Sequence, residues 1–366
     1  MVITSRNIVY YLLERGLITF DSVVNGDLIV SDTSRRNRNF KLLRKHSPSY
    51  FVKQIQNWEP QAIATLQREA ACYQVAQTDP DFAPLAALMP KFVMYDPARY
   101  LLIVELLPEG ENLSEYHRRL GKFPLEAAAL LGQVLGTYHR QEGTTPKNTA
   151  QASMFPKMIP WILSIHQQSA YQFNPLSAAN SELLRIVQQD PEFHPALDAL
   201  RSQWQFTSLI HGDMKWDNCV VYNDANQDGK LRLKVVDWEL ADLGDGCWDV
   251  GAIFQAYLSF WIMSIQITEG ALPEQLVDLA QYPLEEMQPA IWEFWKAYVD
   301  TLDLKGPAVA ELLQRSVKYG AARMIQTAFE YMYYSPQITP NVICLLQASV
   351  NILTKPDEAI RHLLGM

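Results

Sequence analysis

The hydrophobic pattern of this chain predicts strands in its first third and mainly helices thereafter. A short amphipathic helix at residues 5–16 comes first, and Gly16 follows it as a stop signal. The sequence up to residue 105 then predicts three strands, one helix and two further strands. These segments are residues 28–30, 40–44, 50–54, 62–76, 91–95 and 100–105. The opening third is therefore expected to be rich in β-structure.

Helical spacing dominates after an interruption at residues 106–110, which read Leu-Leu-Pro-Glu-Gly and predict a linker. The most apolar run, residues 250–267, is broken by polar side chains and predicts a buried helix in preference to a membrane span. Residues 142–156 are rich in Thr, Pro, Asn and Ser and predict a loop. The predicted helices are residues 113–120, 125–141, 160–168, 181–189 and 195–203, with mostly helical structure again from residue 249.

Composition and charge limit the classes of partner. With 366 residues, of which 48% are hydrophobic, the chain can form two subdomains with a sizeable core. Its net charge of -9 argues against general binding to nucleic acids or anionic membranes. Residues 1–110 carry 12 basic and 11 acidic side chains, so the negative charge lies in the rest of the chain. That acidic region fits either a cationic substrate or a solvated surface.

The four cysteines, Cys72, Cys219, Cys247 and Cys344, are scattered and form no Cys-x-x-Cys pair. This spacing is typical of reduced thiols and not of a disulfide framework or a zinc site. The first residues also lack the pattern of a signal peptide. We therefore expect a cytoplasmic protein.

Residues 209–218 carry the strongest chemical signal in the chain. They read Leu-Ile-His-Gly-Asp-Met-Lys-Trp-Asp-Asn, and Val-Val-Asp-Trp-Glu follows at residues 235–239 after an apolar strand. Asp213, Asn218 and Asp237 thus supply one carboxylate to orient a hydroxyl and two oxygen ligands for Mg²⁺. A phosphoryl-transfer site needs this set of residues. The alternative is a polar turn between two buried strands.

On these motifs the chain resembles the aminoglycoside phosphotransferase-like and choline kinase-like family of the protein-kinase-like superfamily. The resemblance implies an α+β, bilobal protein-kinase-like fold with a β-rich N-lobe and a mainly helical C-lobe. The N-lobe would comprise residues 1–105 and bind the nucleotide, and residues 106–110 would form the hinge. The C-lobe would comprise residues 111–366, with the catalytic loop and a helical insertion at residues 142–206.

The same resemblance implies a role for each residue of the catalytic motif. Asp213 is the expected catalytic base, which orients the hydroxyl and accepts its proton late in the reaction. Lys215, two residues later, is expected to neutralise charge on the transferred phosphoryl group. Asn218 and Asp237 are the expected ligands of Mg²⁺.

A second set of residues is expected to hold the nucleotide. Lys53 lies in a predicted strand and Glu69 in the helix that follows. This arrangement is typical of a lysine that grips the α- and β-phosphates and a glutamate that fixes the lysine. Another residue of the helix is an alternative to Glu69. Glu105 and Leu107 occupy the hinge, where main-chain N–H and C=O groups would bind adenine.

The sequence departs from the kinase pattern at the phosphate-binding loop. Residues 31–39 contain no glycine and carry Arg35, Arg36 and Arg38. Arginine binds phosphate through paired hydrogen bonds, so we expect Arg35 and Arg38 to contact the nucleotide phosphates or an acidic substrate. A solvated basic hairpin is the alternative.

These features predict an ATP- and Mg²⁺-dependent kinase that phosphorylates a hydroxyl of a small molecule, such as an amino alcohol, a sugar or an aminoglycoside. One alternative is a Ser/Thr kinase that acts on a peptide in a natural-product pathway. Another is a pseudokinase that binds nucleotide without catalysis; the glycine-free loop favours it, and the intact Lys53, Asp213, Asn218 and Asp237 oppose it. Neither nucleic acid nor a membrane is an expected partner. The choice between ATP and GTP and the oligomeric state stay open.

Overall fold

The computed structural model describes residues 1–46, 48–140, 155–167, 176–223, 229–267 and 277–366. These residues form two compact units. The first unit comprises Met1–Asn112 and Asn218–Ala241, and the second comprises Leu113–Asp217 and Asp242–Met366.

The first unit is built on a five-stranded antiparallel sheet. Its strands are β1 (Leu28–Asp32), β2 (Asn37–Arg44), β3 (Ser49–Ile55), β4 (Phe92–Asp96) and β5 (Leu101–Leu106), in the spatial order β1-β2-β3-β5-β4. All five predicted strands are confirmed, with ends that differ by up to three residues. The helices of this part of the chain are α1 (Ile8–Glu14), α2 (Phe20–Val24), α3 (Pro60–Thr78) and α4 (Ala83–Ala87).

Alternation along the strands places one face of the sheet against α1. The apolar face of α1 buries Ile8, Tyr11 and Leu12. These residues pack in one cluster with side chains of β2, β3 and β5, among them Phe40 and Val52. By contrast, α2 was not predicted, because both its first and last residues, Phe20 and Val24, are exposed and leave no apolar pattern.

A small second sheet also belongs to the first unit. It contains β6 (Glu111–Asn112), β8 (Cys219–Asn223) and β9 (Leu231–Val235), in the order β6-β8-β9. The N–H of Val235 donates to the carbonyl of Leu88 at 2.8 Å. Contacts thus group residues 218–241 with the N-terminal part of the chain, whereas the predicted C-lobe included them. Strand pairing in three dimensions decides this grouping, and the lobe and hinge limits stay predictions.

The second unit is mainly helical. Its one described pair of strands is β7 (Ser208–Ile210) with β10 (Asp242–Gly244). Its described α-helices are α5 (Leu113–Leu120), α6 (Leu125–His139), α7 (Ala178–Gln189), α8 (Phe193–Ser202), α9 (Cys247–Met263), α10 (Leu284–Leu302), α11 (Pro307–Tyr331), α12 (Pro340–Thr354) and α13 (Pro356–His362). The apolar run at residues 250–267 is confirmed as a buried helix, α9. Within the described ranges, no helix has the length and apolar character that crossing a membrane requires.

The predicted insertion, residues 142–206, is described only in part. Its predicted loop lies almost entirely outside the described residues. The helix predicted at residues 160–168 is instead a 3-10 helix, Trp161–Gln167. Its buried Ile162 and Ile165 are three residues apart, which is the period of a 3-10 helix. Helices α7 and α8 confirm the rest of the predicted helical pattern.

Candidate active site

Lys53 lies at the centre of a buried charge cluster in the first unit. It projects from β3, where it pairs with Asn39 of β2 and Leu102 of β5. Its Nζ lies 2.8 Å from Oε2 of Glu69 on α3, 2.5 Å from Oδ1 of Asp237 and 3.0 Å from Oε2 of Glu239. We call Lys53, Glu69, Asp237 and Glu239 the Lys53 cluster.

One ammonium group therefore forms ion pairs with three carboxylates. Burial acts to lower the pKa of Lys53, but Glu69, Asp237 and Glu239 hold it well above its ordinary value. Burial raises the pKa of Glu69 to about 7, and Asp237 and Glu239 add to the effect, although Lys53 opposes it. Carboxylate oxygens of the three acidic residues lie within 4.8 Å of one another. The cluster is held together by the cation inside it.

Asp237 owes its position to an unusual backbone. It follows β9 and has φ 66° and ψ 53°, in the left-handed region that a non-glycine residue adopts rarely. The next residue, Trp238, is fully buried, and its Nε1 donates to the carbonyl of Val235 at 3.0 Å. This anchor turns the chain sharply, so that Asp237 and Glu239 both reach Lys53.

Asn218 belongs to the same unit as Asp237. Its side chain is buried, and its main-chain carbonyl accepts the N–H of Val236 at 2.9 Å. The oxygens of Asn218, Asp237 and Glu239 are the hard ligands that Mg²⁺ prefers. Oxygens of Asp237, Glu239 and Glu69 lie within 4.8 Å of one another around the ammonium of Lys53, so these carboxylates already surround one positive charge and fit a divalent cation.

Asp213 lies in the second unit, just after β7. Its Oδ2 is 2.7 Å from Nζ of Lys215, and its Oδ1 is 3.3 Å from Nη2 of Arg323 on α11. Burial acts to raise the pKa of Asp213, but Lys215 and Arg323, with a smaller effect of His211, hold it below its ordinary value. Asp213 is therefore ionised at neutral pH.

The chain before Asp213 is fixed by a buried carboxylate. Asp249, in the first turn of α9, accepts the N–H of His211 at 2.6 Å, the N–H of Gly212 at 3.1 Å and the hydroxyl of Tyr138 at 2.8 Å. Gly212 has φ 79°, a conformation that glycine adopts at no steric cost. The carbonyl of Gly212 accepts hydrogen bonds from Trp248 at 3.0 Å and Arg323 at 3.2 Å. These bonds set the direction in which Asp213 leaves the strand.

The predicted nucleotide residues outside the Lys53 cluster lie as follows. The N–H of Glu105 donates to the carbonyl of Lys91 at 2.8 Å, and the carbonyl of Leu107 accepts the N–H of Gly110 at 3.1 Å. Arg35 is exposed, and Arg38 approaches the carbonyl of Ile55 at 3.5 Å. Their roles stay predictions.

Arg36, the remaining arginine of this loop, is the one that reaches the Lys53 cluster in the described part of the loop. Its Nη1 lies 3.3 Å from Oε1 of Glu239. Arg323, by contrast, was not among the predicted site residues. It lies 110 residues after Asp213, in a helix without a motif, so no local pattern marks it.

A cavity of about 310 Å³ within the second unit is lined by Lys215 and Arg323, the two cations that contact Asp213. Side chains of α5, the segment after Asp213, α9 and α11 line it, among them Ser114, Lys215, Asp217, Gln255, Arg323 and Glu330. Gln255 donates to the hydroxyl of Ser259 at 2.9 Å inside its wall. Hydroxyl, amide and charged groups thus surround a space of small-molecule size.

Comparisons with known proteins agree with these observations. Residues 31–298 match the model of the phosphotransferase enzyme family. Comparison with curated proteins gives no match.

Among solved structures, a choline kinase from Cryptosporidium parvum Iowa II is 13% identical, with 97% of this chain and 96% of that one covered and a TM-score of 0.58. The GDP complex of a mutant aminoglycoside 2'-phosphotransferase-IIIa is 12% identical, with coverage of 98% and 99% and a TM-score of 0.55. The streptomycin–ATP complex of APH(2")-IIa is 14% identical, with coverage of 96% and 99% and a TM-score of 0.52. At such identity the likeness concerns the fold. The predicted resemblance and the α+β protein-kinase-like fold class are confirmed.

Proposed function

Because this chain belongs to the phosphotransferase enzyme family, we propose that it transfers the γ-phosphoryl group of Mg·ATP to a hydroxyl of a small molecule. Amino alcohols, sugars and aminoglycosides are the acceptor classes. The Lys53 cluster is the observation that carries the proposal, since a buried lysine held by a helix glutamate and by Asp237 suits phosphate binding.

Residues of the first unit bind the donor. Lys53 keeps its contact with Glu69 and holds the α- and β-phosphates once a nucleotide replaces its contacts with Asp237 and Glu239. Main-chain groups at Glu105 and Leu107 hold adenine, and Arg35 and Arg38 contact the phosphates. Mg²⁺, when bound, neutralises charge on the β- and γ-phosphates.

Asn218 and Asp237 are the proposed ligands of the metal. Both offer oxygen atoms, and the hydrogen bond between Val236 and Asn218 ties the two positions together. Asp237 supplies a negative charge and Asn218 a neutral amide oxygen, which is a common pairing at magnesium sites.

Residues of the second unit act on the acceptor. Asp213, ionised and held from two sides, orients the hydroxyl and takes its proton, while Lys215 neutralises the transferred phosphoryl group. The cavity lined by Lys215 and Arg323 holds the acceptor. Its volume of about 310 Å³ suits a small molecule better than a peptide segment.

The test is incubation of the protein with Mg·ATP and a metabolite extract or a panel of candidate alcohols. Mass spectrometry should detect a product heavier by one phosphate. Asp213→Asn should reduce turnover at least ~10²-fold, the scale of general-base effects, while ATP affinity measured by calorimetry stays unchanged. Absence of any phosphorylated product, or equal loss of ATP affinity and turnover in the variant, would contradict the proposal.

A further inference from the structure

Arg323 makes three contacts that converge on the catalytic loop. Its Nη2 lies 3.3 Å from Oδ1 of Asp213, and its Nη1 donates to the carbonyl of Gly212 at 3.2 Å. Its Cζ lies 5.1 Å from the ring centroid of Trp248, so the guanidinium stacks on that indole. The same indole donates its own hydrogen bond to Gly212. Arg323 therefore binds both the carboxylate and the backbone one residue before it.

The burial of Arg323 lowers the stability of the folded protein. Its side chain is 5% exposed, and its Nε has no hydrogen-bond partner in the described part of the chain. A buried guanidinium with an unsatisfied donor costs free energy that an apolar residue would avoid. A residue that breaks a packing rule at a reactive group indicates function more than stability.

Lys215 is a different kind of partner. It contacts the other oxygen of Asp213, Oδ2, at 2.7 Å, but its side chain is 39% exposed and lines the open cavity. A flexible, half-exposed lysine can leave its carboxylate oxygen, whereas a buried and stacked arginine cannot. The two cations thus divide the carboxylate into a fixed oxygen and a releasable one.

We propose that Arg323 is a positioning residue that fixes Oδ1 of Asp213, so that Oδ2 is the oxygen that receives the acceptor proton when Lys215 moves to the transferred phosphoryl group. The proposal rests on the proposed phosphotransferase function. In the step, the hydroxyl proton passes to Oδ2 and the hydroxyl oxygen bonds to the γ-phosphorus. The bond from that phosphorus to the bridging oxygen breaks, and ADP leaves.

Removal of the arginine should have an electrostatic signature as well as a kinetic one. Among the described residues, the charged groups known to act on Asp213 include His211 and Lys215 from its own segment and Arg323 from α11, while Glu330 of α11 acts on Lys215. Both Lys215 and Arg323 lower the pKa of Asp213. Loss of the Arg323 charge should therefore raise it, and the acid limb of the kcat/KM profile should move to higher pH.

The experiment compares Arg323→Gln and Arg323→Lys with Arg315→Gln as a matched control. Arg315 lies on the same helix and pairs with another buried carboxylate, Asp245, at 3.2 Å. We expect kcat of Arg323→Gln to fall about 10- to 100-fold, the scale of a misplaced catalytic group, with the KM for ATP within about twofold. Arg323→Lys should keep the acid limb near its wild-type position yet remain slow, because lysine lacks the planar fork. Arg315→Gln should match the wild type in both respects.

A second readout needs no turnover. After reductive ¹³C-methylation of the lysines, the NMR signal of Lys215 is assigned by its loss in Lys215→Ala. Its chemical shift should change with pH as Asp213 ionises. The pH of this acid transition should be higher in Arg323→Gln than in the wild type. If Arg323→Gln does not fold, the kcat of Arg323→Lys tests the role instead, and it should lie below the wild-type value. An unmoved Lys215 transition, or wild-type kcat in the arginine variants, overturns the positioning role. If the Lys215 transition moves in Arg323→Gln but the wild-type protein phosphorylates no acceptor, the positioning role stands and the proposed function is overturned.

Discussion

The ammonium nitrogen of Lys53 lies 2.5 Å from Oδ1 of Asp237, closer than the 2.8 Å that separates it from Oε2 of Glu69. With Glu239 at 3.0 Å, the lysine forms a three-way contact and not a single ion pair. In the proposed reaction, this contact must open. Lys53 then leaves Asp237 for the phosphates, and the carboxylate of Asp237 would be free to hold the metal, which would supply the positive charge there.

Lys53→Met should convert the Lys53 cluster into a site that binds a divalent cation without nucleotide. Loss of the ammonium leaves three carboxylates within 4.8 Å of one another, which repel until a cation enters. We expect the variant to be less stable by about 3–5 kcal/mol, the cost of breaking a buried ion pair, and to regain much of that stability with Mg²⁺ or Mn²⁺. Thermal unfolding with and without each cation measures both effects.

Lys41→Met is the control for this experiment, because Lys41 is an exposed lysine on the neighbouring β2. It should show the same small response to divalent cations as the wild type. If the cations raise the Tm of Lys53→Met no more than that of the control, the carboxylates do not form a metal-binding group.

Arg36→Ala should weaken ATP binding without a loss of stability. Arg36 is 71% exposed, so its pair with Glu239 contributes at most about 1 kcal/mol to folding. A charge-assisted bond from Arg36 to a phosphate is worth about 1.5–3 kcal/mol, so ATP affinity should fall about tenfold or more. Adenosine, which has no phosphate, should bind as before. Calorimetry at one fixed ionic strength compares the two ligands.

Lys45, an exposed lysine just after the end of β2, provides the comparison for Arg36, and Lys45→Ala should leave both affinities unchanged. Equal weakening of ATP binding in the two variants would mean that general surface charge, and not a contact from the loop, attracts the nucleotide.

Local patterns predicted much of the first unit and little of the second unit's contacts. The strands β1 to β5 and the helix α3 show in the spacing of apolar residues, so the neighbourhood of Lys53 and Glu69 follows from the sequence. The contact of Glu239 with Lys53 could not be predicted from the sequence, because it depends on the left-handed backbone of Asp237. Arg323 reaches Asp213 across 110 positions through the packing of α11, and no periodicity encodes such a contact.

Asp249→Asn should destabilise the protein in a manner that depends on pH. Burial acts to raise the pKa of Asp249, but His139, His211 and the amide hydrogen bonds hold it below its ordinary value. A carboxylate with a lowered folded pKa contributes stability above its unfolded pKa and loses it as pH falls through the folded value. Asparagine presents an NH₂ group to donors, and each amide left without an acceptor costs about 1–3 kcal/mol.

Urea unfolding at pH 7 and at successively lower pH measures this effect. The difference in free energy of unfolding between wild type and Asp249→Asn should be largest at neutral pH and should shrink as the carboxylate is protonated below about pH 4. Asp303→Asn, at an exposed carboxylate paired with Lys305, should show little difference at any pH. A constant difference for Asp249→Asn across the range would mean that its ionised form does not support the loop.

Gly251→Ala should push apart α9 and α11, the two helices whose side chains contact the catalytic loop. A Cβ at Gly251 of α9 would lie 2.5 Å from the carbonyl oxygen of Ser316 and 2.6 Å from the nitrogen of Gly320, both on α11. Asp249 lies two residues before this contact, and Arg323 three residues after Gly320, so the close approach sets where both side chains meet the loop. Gly→Ala within a helix ordinarily stabilises by about 0.5–1 kcal/mol.

We expect the opposite sign here, a loss of about 1–3 kcal/mol from overpacking against backbone that cannot yield. Glu311→Ala, at an exposed position of α11, should leave the Tm nearly unchanged and controls for helix propensity. Because the contact between Arg323 and Asp213 is already 3.3 Å, a further shift of α11 should lengthen it and lower kcat more than the KM for ATP. Thermal unfolding and steady-state kinetics of the same preparations measure the two effects. A Tm at or above the wild-type value in Gly251→Ala would mean that the helices yield without cost and do not fix the positions of Asp249 and Arg323.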